Sequence, residues 1–100
     1  NPRAFVERKT EYLQTLVKKG ASIGANATVI CGTTLGKYCF VGAGSVVTKD
    51  VPDYALVYGS PAKQHGWMCE CGVKLNNVLF CEECGKRYQE TQQGLGLIEK

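Results

Sequence analysis

The chain has 100 residues, 44% of them hydrophobic, and carries 12 Lys and Arg against 9 Asp and Glu, a formal charge of +3. That length is one domain or two small ones. The charge is too mild for a polycation that grips nucleic acid or a membrane surface, and no run approaches the ~18 apolar residues of a membrane helix. The opening Asn1-Pro2-Arg3-Ala4 shows no apolar signal core. Six Cys in 100 residues are the strongest compositional signal, and their spacing separates disulfide from metal use.

Residues 1–14 carry no repeat and read as a lead-in segment. From Thr15 a period of six begins. Bulky aliphatics recur at Val17, Ile23, Val29, Leu35, Val41 and Val47, and two residues before each stands a smaller one, Thr15, Ala21, Ala27, Thr33, Cys39 and Ser45. A period of six is neither helical nor simple alternation. It suits a short strand and a turn, with one large and one small side chain pointing inward. Gly follows the aliphatic residue at Gly24, Gly36 and Gly42, and is expected to permit the tight corner. Three such sides make one triangular coil, and coils stack as parallel strands. Residues 15–50 therefore predict about two coils. Solenoids need about three or more repeats for stability, so further coils or partners are expected to complete the core. Gly59-Ser60-Pro61 is expected to turn the chain out of the stack, since Pro lacks the N–H a strand needs.

Beyond Gly66 the punctuation changes. Cys69-Glu70-Cys71-Gly72 and Cys81-Glu82-Glu83-Cys84-Gly85 form two thiol pairs, each followed by Gly. Four thiolates suit tetrahedral Zn²⁺, and Val73 to Phe80 predicts a hairpin about Asn76-Asn77, giving a small zinc ribbon. An iron centre of rubredoxin type, disulfides and free thiols are the other readings of these four Cys. Neither an open coordination position nor a nearby base is evident, so the metal reads as structural, supplying a core that so few residues do not build alone. Bound zinc lowers the formal charge and weakens the case for nucleic acid. Trp67 and Met68 are expected to pack the ribbon against the end of the coils. Cys39, in an inward slot, is expected to be packed and inert, and Cys31 to lie exposed near a turn. The stretch 89–100 reads as a short strand or a frayed end.

The stretches Ala21–Gly32, Val41–Pro52 and Gly59–Lys63 resemble the C-terminal part of the hexapeptide-repeat acyltransferases. The resemblance covers about residues 15–65. It is nearest to bacterial nucleotide-sugar N-acetyltransferases that acetylate the 3-amino group of UDP-2-acetamido-3-amino-2,3-dideoxyglucuronate, and Asn1-Pro2-Arg3, Arg8-Lys9 and Lys18-Lys19-Gly20 look like that subgroup too. It implies an all-β protein: a left-handed parallel β-helix over residues 15–65, then a zinc-ribbon-like tail over 66–100. It also implies a cytoplasmic homotrimer with acetyl-CoA lying between neighbouring helices, an amino-sugar nucleotide as acceptor, and a role in surface polysaccharide (lipopolysaccharide) biosynthesis. By motif, Ala25, Ala43 and Gly44 fall at corners that admit the pantetheine arm. Thr48 and Lys49 fall at the last corner, near the nucleotide end of CoA, and Lys63 fills the basic slot of the Gly-x-Pro-x-basic motif. Lys there offers a phosphate a point charge without the fork of Arg.

Amine acetylation requires a neutral amine, a route for the departing proton and a donor for the oxyanion. The only His, His65, lies outside the repeats and is not expected to be the base. Glu7, Arg8 and Glu11 stand in the lead-in without a spacing that singles them out. The resemblance implies that the acceptor pocket is built on coils N-terminal to these, so the chain reads as a piece of an enzyme lacking that pocket. Two alternatives are an O-acyltransferase on the same scaffold and a zinc-ribbon binding module carried on a structural β-helix.

Overall fold

The computed structural model describes residues 14–98. The lead-in expected over 1–14, with Glu7, Arg8 and Glu11, lies outside the described residues except for Gln14. Strands β1 (Leu16–Val17), β2 (Ser22–Ile23), β3 (Thr28–Val29), β4 (Thr34–Leu35), β5 (Phe40–Val41) and β6 (Val46–Val47) are two residues each. They pair in parallel, β1 with β4, β2 with β5 and β3 with β6, at Leu16↔Thr34, Ser22↔Phe40 and Thr28↔Val46. Each partner lies three six-residue units along the chain, so three sheets form the sides of a prism and one circuit is one coil. The two expected coils are present.

The inward positions follow the period. In the second coil Leu35 and Val41 are fully buried and Val47 is 1% exposed, while Thr33, Cys39 and Ser45 are buried beside them. Below them Val51, Ala55 and Val57 close the same core. In the first coil the equivalent Val17 and Ile23 are 49% and 46% exposed, because no coil covers them among the described residues. Cys39 is buried and Cys31 exposed, as expected.

The corners correct one expectation. The left-handed backbone falls three residues after each of the first five aliphatics, at Gly20, Asn26, Gly32, Tyr38 and Gly44, with φ between 55° and 88°. Gly24, Gly36 and Gly42 are not at left-handed positions. They are small because the next turn presses on them: a Cβ at Gly24 would stand 2.5 Å from the Ala43 backbone nitrogen, and one at Gly36 2.5 Å from that of Asp53. Their role is close stacking, not the turn.

The third turn is tighter. Leu35 bridges to Val51 and Phe40 pairs with Leu56, so this circuit is two residues shorter than the one above. Tyr54 then repeats the corner of Tyr38, at φ 68°. Strand β7 (Ala55–Gly59) continues the β2–β5 side, and β8 (Ala62–Trp67) turns back antiparallel on it across Ser60–Pro61. The chain thus leaves the stack at Gly59-Ser60-Pro61, as the sequence suggests, by forming a hairpin. Strand β8 runs through the expected boundary between residues 65 and 66.

The tail is built around a second core of Tyr54, Cys69, Leu75, Cys81, Tyr88 and Leu95. Trp67 packs against both cores, as expected of it. The expected hairpin at Asn76-Asn77 is a turn without flanking strands: the Leu79 N–H donates to the Asn76 carbonyl, and the Asn76 side chain accepts from Val78 and Phe80 N–H. Residues 88–97 hold more than the single short strand expected. Strands β9 (Tyr88–Thr91) and β10 (Gly94–Leu97) form an antiparallel hairpin. It docks on the solenoid at Asp53, whose N–H donates to Gln93 O (2.8 Å) and whose carbonyl accepts from Leu95 N–H (3.2 Å).

Candidate functional site

Of the residues expected at the cosubstrate site, Ala25, Ala43, Gly44, Thr48 and Lys49 fall on two corners and Lys63 on strand β8. Ala25 and Gly44 stack in successive coils between the β2–β5 and β3–β6 sides, with the Gly44 N–H donating to Ala25 O at 2.9 Å. Ala43 is beside them, all three are exposed, and a Cβ at Gly44 would meet nothing within 4 Å. The backbone of this corner is open to an approaching chain.

Thr48, Lys49 and Lys63 come from the corner after β6 and from β8, and they line one hollow of about 310 Å³. Its apolar floor is Val47, Val51, Val57 and Ala62, and Asp50 stands at its edge. The two lysines therefore face the same space although 14 residues separate them in sequence. Asp50 is tied back: its Oδ1 accepts the Thr34 N–H at 2.8 Å. Among the described residues, the two ammonium groups are the cations that line the hollow, a charge suited to phosphate oxygens.

A larger hollow, about 510 Å³, lies where the tail hairpin meets the solenoid and is lined by Lys18, Asp50, Asp53, Trp67, Glu90 and Gln93 among others. No expected site residue lines it. Asp53 is buried here, with Oδ1 accepting from Lys37 N–H at 2.8 Å. His65 is exposed and stacks on Tyr58 with ring centroids 3.7 Å apart, away from the Thr48–Lys49 hollow. Nothing in its surroundings makes it a base for that hollow.

The four tail cysteines converge. Their Sγ atoms all lie within 4.8 Å of one another, with Cys69 and Cys84 at 3.4 Å and Cys71 and Cys81 at 3.6 Å. A disulfide needs ~2.05 Å, and all six cysteines are free. A tetrahedral ion with Zn–S of ~2.3 Å has sulfur–sulfur edges of about 3.8 Å, so the spacing fits a four-thiolate metal site. Each pair sits in a closed knuckle. Gly72 N–H returns to Cys69 O at 2.9 Å and Gly85 N–H to Cys81 O at 2.8 Å. Gly72 and Gly85 take φ of 93° and 82°, which a side chain resists.

The field inside the cluster is uneven. The Cys84 backbone N–H, opposed by burial and helped by that of Glu83, draws the Cys81 thiol down to about 7. Desolvation, then its hydrogen bonds with the other cysteines, pushes Cys71 up to about 12. The Cys39 thiol, in the solenoid core, is raised to about 11 by burial and then by Asp53, which keeps it a neutral packing group.

Sequence reasoning missed the tyrosines around this cluster. Tyr38 and Tyr54 stack at 5.4 Å, and Tyr54 meets Tyr88 at 5.0 Å. The Tyr54 hydroxyl donates to Glu70 Oε2 at 2.6 Å, and Tyr88 reaches Cys69 Sγ at 3.2 Å. One signal was available, since Tyr54 stands three residues after Val51 as Tyr38 does after Leu35.

Comparison with known proteins places these features. Residues 15–49 match the family profile described as bacterial transferase hexapeptide (six repeats). Over 79 residues the chain is 56% identical to the dTDP-3-amino-3,6-dideoxy-alpha-D-galactopyranose 3-N-acetyltransferase of Aneurinibacillus thermoaerophilus, covering 76% of this chain and 41% of the relative. The chain thus spans less than half the length of that relative. Among solved structures, serine acetyltransferase of Neisseria gonorrhoeae is 40% identical over 53% of this chain and 21% of its own, with a TM-score of 0.52. A hexapeptide-repeat-containing acetyltransferase of Vibrio cholerae O1 biovar eltor, complexed with acetyl coenzyme A, is 29% identical over 65% of this chain and 37% of its own, with a TM-score of 0.54. No helix among the described residues is long and apolar enough to cross a membrane. Through residues 15–49, the chain is similar to the bacterial hexapeptide-repeat transferases.

Proposed function

We propose that this chain is part of an acetyl-CoA-dependent N-acetyltransferase that acts on the 3-amino group of a nucleotide-linked sugar. The observation that carries the reading is the hollow in which the corner residues Thr48 and Lys49 meet Lys63 of the exit strand. It offers two cations to the phosphates of CoA, while the open Ala25–Gly44 corner offers backbone to the pantetheine arm. Two comparisons support the choice. The Aneurinibacillus relative acetylates a 3-amino sugar nucleotide by its name, and the Vibrio structure holds acetyl coenzyme A. That relative is a dTDP-sugar enzyme, whereas the sequence motifs resemble enzymes of a UDP-linked 3-amino glucuronate. The 3-amino group is common to both.

In this reading residues 15–65 form a left-handed β-helix that binds the cosubstrate, and residues 66–100 a zinc-ribbon tail. The protein works as a cytoplasmic homotrimer in surface polysaccharide biosynthesis. Cys69, Cys71, Cys81 and Cys84 hold a structural Zn²⁺, consistent with four thiols at tetrahedral spacing. The amine attacks the thioester carbonyl in its neutral form and loses its proton once the tetrahedral intermediate forms; collapse of the intermediate breaks the C–S bond and releases CoA, whose sulfur takes up a proton. No residue of this chain is assigned as the proton acceptor.

The test is a calorimetric titration of the intact protein with acetyl-CoA, followed by assays with both 3-amino sugar nucleotides. Saturable binding and acetylation of one of the two support the reading. A protein with no affinity for acetyl-CoA overturns it.

A further inference from the structure

We infer that Tyr88 is a positioning residue of the cysteine metal centre: its hydroxyl proton is held on the Cys69 sulfur and fixes that ligand. The inference rests on the proposed metal reading of the four cysteines. It comes from following each hydrogen bond around one hydroxyl group. The Glu70 N–H donates to the Tyr88 oxygen at 3.0 Å. A backbone N–H has no other polarity, so the Tyr88 oxygen is the acceptor there and its single proton is left for another partner. That partner is Cys69 Sγ, at 3.2 Å. Cys69 therefore accepts, as a thiolate on a metal does.

The arrangement is locked from the far side. Tyr88 is 3% exposed and Cys69 2% exposed, so water does not compete for the bond. The Tyr54 hydroxyl donates to the Glu70 carboxylate at 2.6 Å, which anchors the residue whose N–H orients Tyr88. The Tyr54 ring lies 5.0 Å from that of Tyr88 and 5.4 Å from that of Tyr38 on the coil above. One thiolate of the centre is thus aimed by a tyrosine that packs on the corner of the solenoid. Outer partners of this kind set the direction and basicity of a ligand, and their loss commonly costs 10–100-fold in metal affinity.

The experiment compares the wild-type chain with Y88F and Y54F. Zinc affinity is read by competition with a chromophoric chelator, and the sulfur-to-metal charge-transfer band by loading with Co²⁺. Y88F keeps the packed ring and removes the proton on sulfur, together with the oxygen that accepts the Glu70 N–H. It is expected to weaken zinc about 10-fold and to shift the Co²⁺ band. Y54F leaves the Tyr88 proton in place and is expected to keep the band at the wild-type position. Y88F with wild-type affinity and an unchanged band overturns the inference. A wild-type chain that takes up neither metal overturns the metal reading itself, and the inference with it. If Y88F does not fold, the wild-type protein decides. Loaded with a spin-active cadmium isotope, it should show a slowly exchanging Tyr88 hydroxyl proton coupled to the metal, and a freely exchanging, uncoupled proton overturns the inference.

Discussion

Two glycines of the same solenoid are small for different reasons. Gly36 has an ordinary backbone, but a Cβ there would meet Asp53 N at 2.5 Å and the Pro52 carbonyl carbon at 2.6 Å. Neither is the end of a flexible side chain, so the third turn must shift, and the Asp53 carboxylate must loosen its hold on Lys37 N–H. Gly44 has free space around it and only a left-handed φ of 72°. Gly36→Ala is therefore expected to destabilise by about 3 kcal/mol and Gly44→Ala by about 1 kcal/mol, read by denaturant unfolding. Equal losses would show that the turns do not press on each other as described. The inward positions were legible in the sequence because every coil repeats the same two constraints, one large and one small residue, at fixed spacing. The roles of Gly24, Gly36 and Gly42 were not. Corner glycines such as Gly20, Gly32 and Gly44 recur at the same period, and a period alone does not say which glycine turns and which one yields space.

At the scale of elements, the two knuckles and the hairpin β9–β10 share one small core with Tyr54 and Tyr88. With so little apolar area, a bound ion is expected to supply most of the tail's stability. Stripping the metal with a chelator should therefore abolish hydrogen-exchange protection at Cys69, Cys81 and Gly85 while leaving Leu35, Val41 and Val47 protected. Loss of protection in both sets at once would make the solenoid and tail a single cooperative unit. In the proposed zinc centre, metal uptake is also coupled to protons, because four cysteine ligands would bind as thiolates. Cys81 is depressed to about 7, so it is protonated below that pH and already ionised above it. The number of protons released on zinc binding should therefore fall by about one as pH rises through 7, measured by titration in buffers of different ionisation heat. A release that does not change across that window would mean that Cys81 is not the thiol that ionises first. The convergence of the cysteine pairs was legible from spacing, since each pair is local in sequence. The tyrosine stack was not, because Tyr38, Tyr54 and Tyr88 meet only after a shortened third circuit brings a coil corner against a distant hairpin.

At the scale of the whole molecule, the question is whether the Thr48–Lys49–Lys63 hollow and the open Ala25–Gly44 corner serve one ligand. Lys49 and Lys63 are both exposed, so each is expected to contribute only ~0.5–1 kcal/mol to a phosphate contact. That corresponds to roughly two- to fivefold in affinity. Lys49→Ala and Lys63→Ala should each weaken acetyl-CoA binding by that factor, and the effect should shrink as salt screens the charges. Lys74→Ala is the control, since Lys74 lines a different hollow beside His65 and Trp67, and it should leave affinity unchanged. The Ala25–Gly44 corner is separated from the lysines by β6, so a ligand reaching both must run along the outside of the prism. A bulky Ala43→Trp at that corner should then weaken acetyl-CoA more than it weakens the 3′,5′-bisphosphate of adenosine, which carries no pantetheine arm. A calorimetric series in which Ala43→Trp weakens both ligands alike would separate the two corners. The lysine hollow would then stand as a phosphate site with no part in holding the thioester.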